Sequence, residues 1–170
     1  TRGRVAVAQL LDSAEDLATC APRLARTAYL EALGAAVFTG HLEVVRTAST
    51  RLAGSRPQGT DRLLEGLARR CTNGYAAGVE PLKLALKTLD NDRAADTGSR
   101  LLGCLIAPDL WDDDRWDELT CAEVERERNA GARTVLPYVL THRALVEIHI
   151  GRLDTARSLV EEARALTDAA

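Results

Sequence analysis

Methionine is absent from the 170 residues, and aromatic side chains nearly so: one Phe, two Trp and three Tyr. With β-branched residues also scarce, Ala and Leu carry most of the apolar content, which favours helix and argues against strands. No apolar run approaches the ~20 residues that span a bilayer. The N-terminus lacks the charged-then-apolar order of a signal peptide. No membrane association is therefore expected, and a reducing cytoplasm is the expected compartment. Cys20, Cys71, Cys104 and Cys121 are widely separated, with no CxxC spacing, and read as small buried hydrophobes. Lysine is almost missing too: of 22 basic residues only Lys83 and Lys87 are Lys, a skew that a GC-rich genome explains. The net charge of -3 comes with basic residues spread along the chain, not stacked into a phosphate-neutralising stripe, so direct nucleic-acid binding is not expected. Starting at Thr1 and lacking Met, the chain reads as a piece of a longer protein.

What is present is helical periodicity almost from end to end. The spacing predicts eight or nine helices in one domain over residues 1–170. They fall near 5–19, 22–38, 42–53, 62–72, 78–89, 99–110, 113–129, 134–150 and 153–168. Leu10, Leu11, Ala14 and Leu17 form the apolar stripe of the first. Pro22 suits a first turn, while Gly40, Gly74, Gly131 and Gly151 are placed as left-handed terminators. Residues 54–59 form the clearest loop of the first half. Pro81 is compatible with its helix only in the first turn, and Pro108 ends or kinks the sixth. Asp112 or Asp113 is the expected cap of the seventh helix and Thr134 that of the eighth.

Catalytic, metal and cofactor chemistry finds no foothold in these residues, and an enzyme is not expected. Asp109, Asp112, Asp113, Asp114, Asp117 and Glu118 supply carboxylates that a hard cation could use, but the EF-hand order of glycine and closing glutamate is missing. Helix capping in a solvated acidic turn accounts for them. Trp111 and Trp116, which flank that turn, are expected to anchor the hairpin by burial. His41, His142 and His149 have no metal-site spacing and read as surface or groove histidines. Glu161-Glu162 and Glu125-Glu127 read as polar helix faces. There is no GxxxxGK[ST] loop and no GxGxxG turn, so no catalytic, cofactor-binding or metal residue is assigned.

Gly40, Gly74, the Trp111-Asp112 turn and Gly151 recur at roughly 34 to 40 residues, close to the period of tetratricopeptide units. Ala144, Gly151, Ala156 and Ala163 occupy the small-residue places of such a hairpin, and Gly34 and Cys104 echo them earlier. The expected architecture is all-α, with antiparallel hairpins stacked as an α-solenoid whose concave face binds. The tetratricopeptide resemblance implies that Tyr138, Thr141, Leu145, Ile148 and His149 face that groove, there to meet a ligand, a neighbouring domain or another copy of the chain.

The stretches at residues 25–42, 63–86, 109–119, 130–144 and 151–169, among them ARTAYLEALGAAVFTGHL and GRLDTARSLVEEARALTDA, resemble actinobacterial large ATP-binding regulators of the LuxR family. In that family an AAA/STAND-type nucleotide-binding module precedes a long tetratricopeptide-like region, and a DNA-binding helix-turn-helix follows it. The resemblance places this chain wholly in the helical region, so ATP would belong to an absent module. It implies a non-catalytic sensor or scaffold that binds an inducer or protein and regulates the attached domains of the parent regulator. The alternative is a protein-interaction or oligomerisation repeat without a small ligand.

Overall fold

Every helix expected within the described residues forms. The computed structural model describes residues 2–38, 61–91 and 95–169, and among these are eight α-helices, one 3-10 turn and no strand. The fold is all-α. The helix expected at 42–53, the loop at 54–59, Gly40 and His41 lie outside the described residues. The chain divides into two compact units, Thr1–Ile106 and Ala107–Ala170.

In the first unit α1 (Arg2–Leu17) packs on α2 (Pro22–Phe38), α3 (Asp61–Asn73) packs on α4 (Tyr75–Asn91), and α5 (Thr97–Ile106) packs on α2 and α4. Ala14, Leu30, Leu33 and Ala36 are buried in the first hairpin, and Leu63, Leu67, Leu82 and Leu86 in the second. Each fully buried Leu contributes about 1.5–3 kcal/mol. Gly74 links α3 to α4 at φ +91°, a backbone conformation that costs glycine almost nothing. The two helices then approach so closely that a side chain does not fit between them. A Cβ on Gly78 would lie 2.5 Å from Arg70 Cβ and 2.9 Å from Arg70 Cα, and one on Gly66 would lie 2.6 Å from a Leu82 methyl.

α4 begins at Tyr75, three residues earlier than its sequence reading, and this puts Pro81 in the helix interior and not in the first turn. Proline there removes the bond to the Ala77 carbonyl and usually costs about 3 kcal/mol. Gly74 permits the immediate restart, and the close packing on α3 offsets the lost bond. α5 ends at Ile106, and Pro108 opens a separate 3-10 turn, Pro108–Leu110. The start of α5 carries a cap: Asp96 Oδ1 accepts the Ser99 amide at 2.8 Å.

The second unit is a consecutive three-helix set, α6 (Asp113–Ala130), α7 (Leu136–His149) and α8 (Leu153–Asp168). Asp112 caps α6 by accepting the Arg115 amide at 3.3 Å, and Asp113 and Asp114 sit in its first turn, where the helix dipole favours them. Gly131 (φ +64°) and Gly151 (φ +82°) end α6 and α7 in the left-handed conformation. Carbonyls of the ending helices are satisfied by Ala132 N to Glu127 O at 3.1 Å and Arg152 N to Glu147 O at 2.7 Å. Thr134 does not cap α7. Pro137 has no amide to give and fits only the first turn, so a turn closed by Leu136 N to Ala132 O precedes the helix and Val135 takes the capping position without a side-chain bond. Ala144, Ala156 and Ala163 are buried, and Arg128 of α6 meets Glu162 of α8 at 2.5 Å.

Candidate functional site

Half of the residues of α7 are buried, and its sequence, LPYVLTHRALVEIH, has few charges. Leu136, Val139, Leu140, His142, Ala144, Val146 and Glu147 are buried. The remaining face is the set Tyr138, Thr141, Leu145, Ile148 and His149, which helical spacing puts on one side over about 15 Å. Leu145 is 46% and Ile148 51% exposed, Thr141 and His149 are exposed, and Tyr138 is half-buried. No charged residue other than the terminal histidine interrupts this stripe. Tyr138 stands edge-on to the His142 ring, with centroids 4.5 Å apart, and the Thr141 hydroxyl donates to the Pro137 carbonyl. His149 closes the stripe against the start of α6, 3.5 Å from Asp113 and edge-on to Trp116.

Behind the stripe, the only two charged residues of α7 apart from its histidines build a polar centre. Arg143 donates to Asp117 Oδ1 at 2.6 Å, to the Asp117 carbonyl at 3.1 Å and to Thr120 Oγ1 at 3.3 Å, and its second nitrogen bonds Glu147 Oε1. Burial acts to lower the Arg143 pKa, but hydrogen bonds and charge from Asp117 and Glu147 outweigh it and raise it above the ordinary value. The guanidinium is therefore a permanent cation that fixes α6 on α7. Thr120 in turn donates to the Trp116 carbonyl at 2.8 Å. Two buried atoms here, Trp116 Nε1 and Glu147 Oε2, have no hydrogen-bond acceptor or donor among the described residues. The cluster orients side chains across α6 and α7.

Several side chains stand where the sequence reading did not put them. Trp116 is buried as expected, but Trp111 is 83% exposed and adopts φ +56°, a left-handed conformation that costs a non-glycine residue about 1–2 kcal/mol. Its amide donates to the Pro108 carbonyl at 3.1 Å, so it serves as the C-cap of the 3-10 turn, a role that displays the indole rather than burying it. His142 is buried, and burial lowers its pKa below 6.5. Glu127 is buried instead of lying on a polar face, and so is Glu123, which pairs with Arg126. Cys104 is buried, but Cys20 and Cys121 are exposed, because Cys20 falls past the end of α1 and Cys121 lies on the open side of α6. Gly34 does not mark a close crossing, since a Cβ there meets nothing within 4 Å. The Arg143–Glu147 pair was the missed signal: two opposite charges four apart in an otherwise apolar helix.

Among the described residues no three His, Cys, Asp or Glu side chains gather as a metal site, and no helix is long and apolar enough to cross a membrane. Comparison with protein-family models, with curated proteins and with solved structures yields no match to this chain.

Proposed function

We propose that this chain is a non-catalytic binding scaffold, the tetratricopeptide-like sensor region of a cytoplasmic LuxR-type regulator, in which hairpins stack as a solenoid and α7 presents the contact surface. The observation that carries the reading is the uncharged stripe of half-buried Tyr138 and exposed Thr141, Leu145 and Ile148, on a helix whose other faces are largely covered. A contiguous exposed apolar patch marks an interaction surface. Trp111 adds a large anchor, held in a strained conformation that yields no packing in return. The regulator assignment rests on the resemblance of residues 25–42, 63–86, 109–119, 130–144 and 151–169. On that assignment the partner is an inducer, a protein or a neighbouring module of the parent, and ATP and DNA are handled elsewhere in it.

The test is a transcription reporter driven by the parent regulator carrying Leu145→Ser, Ile148→Ser and Trp111→Ser. The response to inducer is expected to change at least tenfold at unchanged protein level and unchanged melting temperature of the isolated chain. A wild-type response from the triple variant would overturn the reading. The same exposed aliphatics also suit a second copy of the chain. Sedimentation velocity distinguishes that case: a concentration-dependent dimer that the three substitutions abolish makes the chain an oligomerisation module.

A further inference from the structure

The outer side of the α3–α4 hairpin carries a cleft of about 680 Å³, within the range of small-molecule sites. Four cations line it, Arg62 and Arg69 from α3 and Lys83 and Lys87 from α4, against two carboxylates, Glu65 and Glu80. The lining thus has a charge of +2 in a chain of net charge -3, and it contains both lysines of the sequence. Pro81 and the exposed Leu84 supply apolar wall between the charges.

The glycine contacts fix how these residues are ordered along the cleft. Gly66 lies against Leu82, and Gly78 lies against Arg70, so the helices run antiparallel with those pairs level. Continued by one turn, that register brings Arg62 level with Leu86 and its neighbour Lys87, while Lys83, a turn back towards Leu82, is level with Glu65. Arg69 then falls beside Glu80, and it also holds Glu65 at 2.6 Å. The lining is therefore ordered along the cleft: Arg62 and Lys87 at one end, Leu84 and Pro81 next to them with Lys83 level with Glu65 between the two, and Arg69 with Glu80 at the other end.

We propose that this cleft binds a small anionic amphiphile, its carboxylate or phosphate held at Arg62 and Lys87 and its apolar body lying along Leu84 and Pro81, past Lys83. Guanidinium supplies a forked donor set and the ammonium group a compact charge, which together suit either headgroup. The site lies in the first unit and stands independently of the α7 surface and of the regulator assignment.

Because Lys83 and Lys87 are the only lysines, reductive methylation with a ¹³C label reports on this cleft and on the N-terminal amine alone, and it preserves the charge. Octanoate and octyl phosphate are titrated, with inorganic phosphate and 1-octanol as controls. At least one of the two amphiphiles is expected to shift both lysine signals and leave the amine signal in place, and the tighter of them identifies the headgroup. Arg62→Gln with Lys87→Gln is expected to weaken that probe at least tenfold by calorimetry on unlabelled protein, with helical circular dichroism unchanged. Leu84→Ser is expected to weaken the amphiphile several-fold. The proposal fails if neither amphiphile moves the lysine signals, if 1-octanol or inorganic phosphate binds as tightly as the amphiphiles, or if the double variant retains full affinity.

Discussion

Arg143 holds two helices through three hydrogen-bonding partners, and its removal would leave the carboxylate of Glu147, which is 4% exposed, with the solvent-facing Arg152 at 3.9 Å as its remaining cation. Breaking a buried pair from one side usually costs 3–5 kcal/mol, whereas replacing both members by apolar residues of similar size is close to neutral. With Asp117 half exposed, Arg143→Met is expected to lower stability by about 3 kcal/mol in urea unfolding, and Arg143→Met with Glu147→Met to recover most of it. A double variant no more stable than the single would show that the charge pair is not what holds α6 to α7. His142 makes a second residue-level prediction. Burial holds its folded pKa below the ordinary 6.5, so the unfolded chain binds the extra proton more readily. The stability tied to its neutral form is complete above about pH 6.5 and is lost as pH falls through the lower, folded value. Melting temperatures between pH 7.5 and 5 are expected to drop less steeply in His142→Gln than in the wild type. Equal slopes would exclude a buried neutral imidazole.

Glycines that look alike in the sequence of a helix have opposite work in the structure. Gly78 brings α4 within a side chain's width of the α3 backbone, and Gly34 faces open space. Gly78→Ala is expected to destabilise by about 1–3 kcal/mol through overpacking, and Gly34→Ala to stabilise by about 0.4–1 kcal/mol by restricting the unfolded chain. Measured changes of the same sign at both positions would contradict the α3–α4 crossing. At this level the sequence was informative where a backbone rule operates locally: Pro22, Gly74, Gly131, Gly151 and the Asp112 cap all stand where local chemistry put them. It was less so where tertiary packing overrides that chemistry. Pro81 sits inside α4 because the contact with α3 holds the helix around it, and no periodicity reveals a partner helix. Trp111 could not be recognised as exposed, since apolar character alone gives no direction, and the direction comes from a left-handed turn set by Pro108. The residues of the α7 stripe were singled out through the tetratricopeptide resemblance, and four of the five, Thr141, Leu145, Ile148 and His149, are exposed. The polar centre behind it was not legible, because Arg143 is 26 residues from Asp117 and 23 from Thr120 and meets them only across two helices.

Two compact units in one chain imply two cooperative centres. Ala163 packs in the second, and Ala163→Leu is expected to cost about 1–3 kcal/mol there. Hydrogen exchange should then accelerate across 113–168 and remain unchanged across 61–91. Equal acceleration in both segments would mean that the chain opens as a single body. The two tryptophans turn the second unit into its own spectroscopic reporter. Trp111 is open to water and Trp116 is buried beside the His149 ring, so the native emission is a sum of a red-shifted and a blue-shifted component. Iodide reaches the first and not the second. A molecule that settles over the 3-10 turn would shield Trp111 from the quencher, and a loosening of α6 from α7 would expose Trp116 to it, so one fluorescence titration separates occupancy of the surface from damage to the helices beneath.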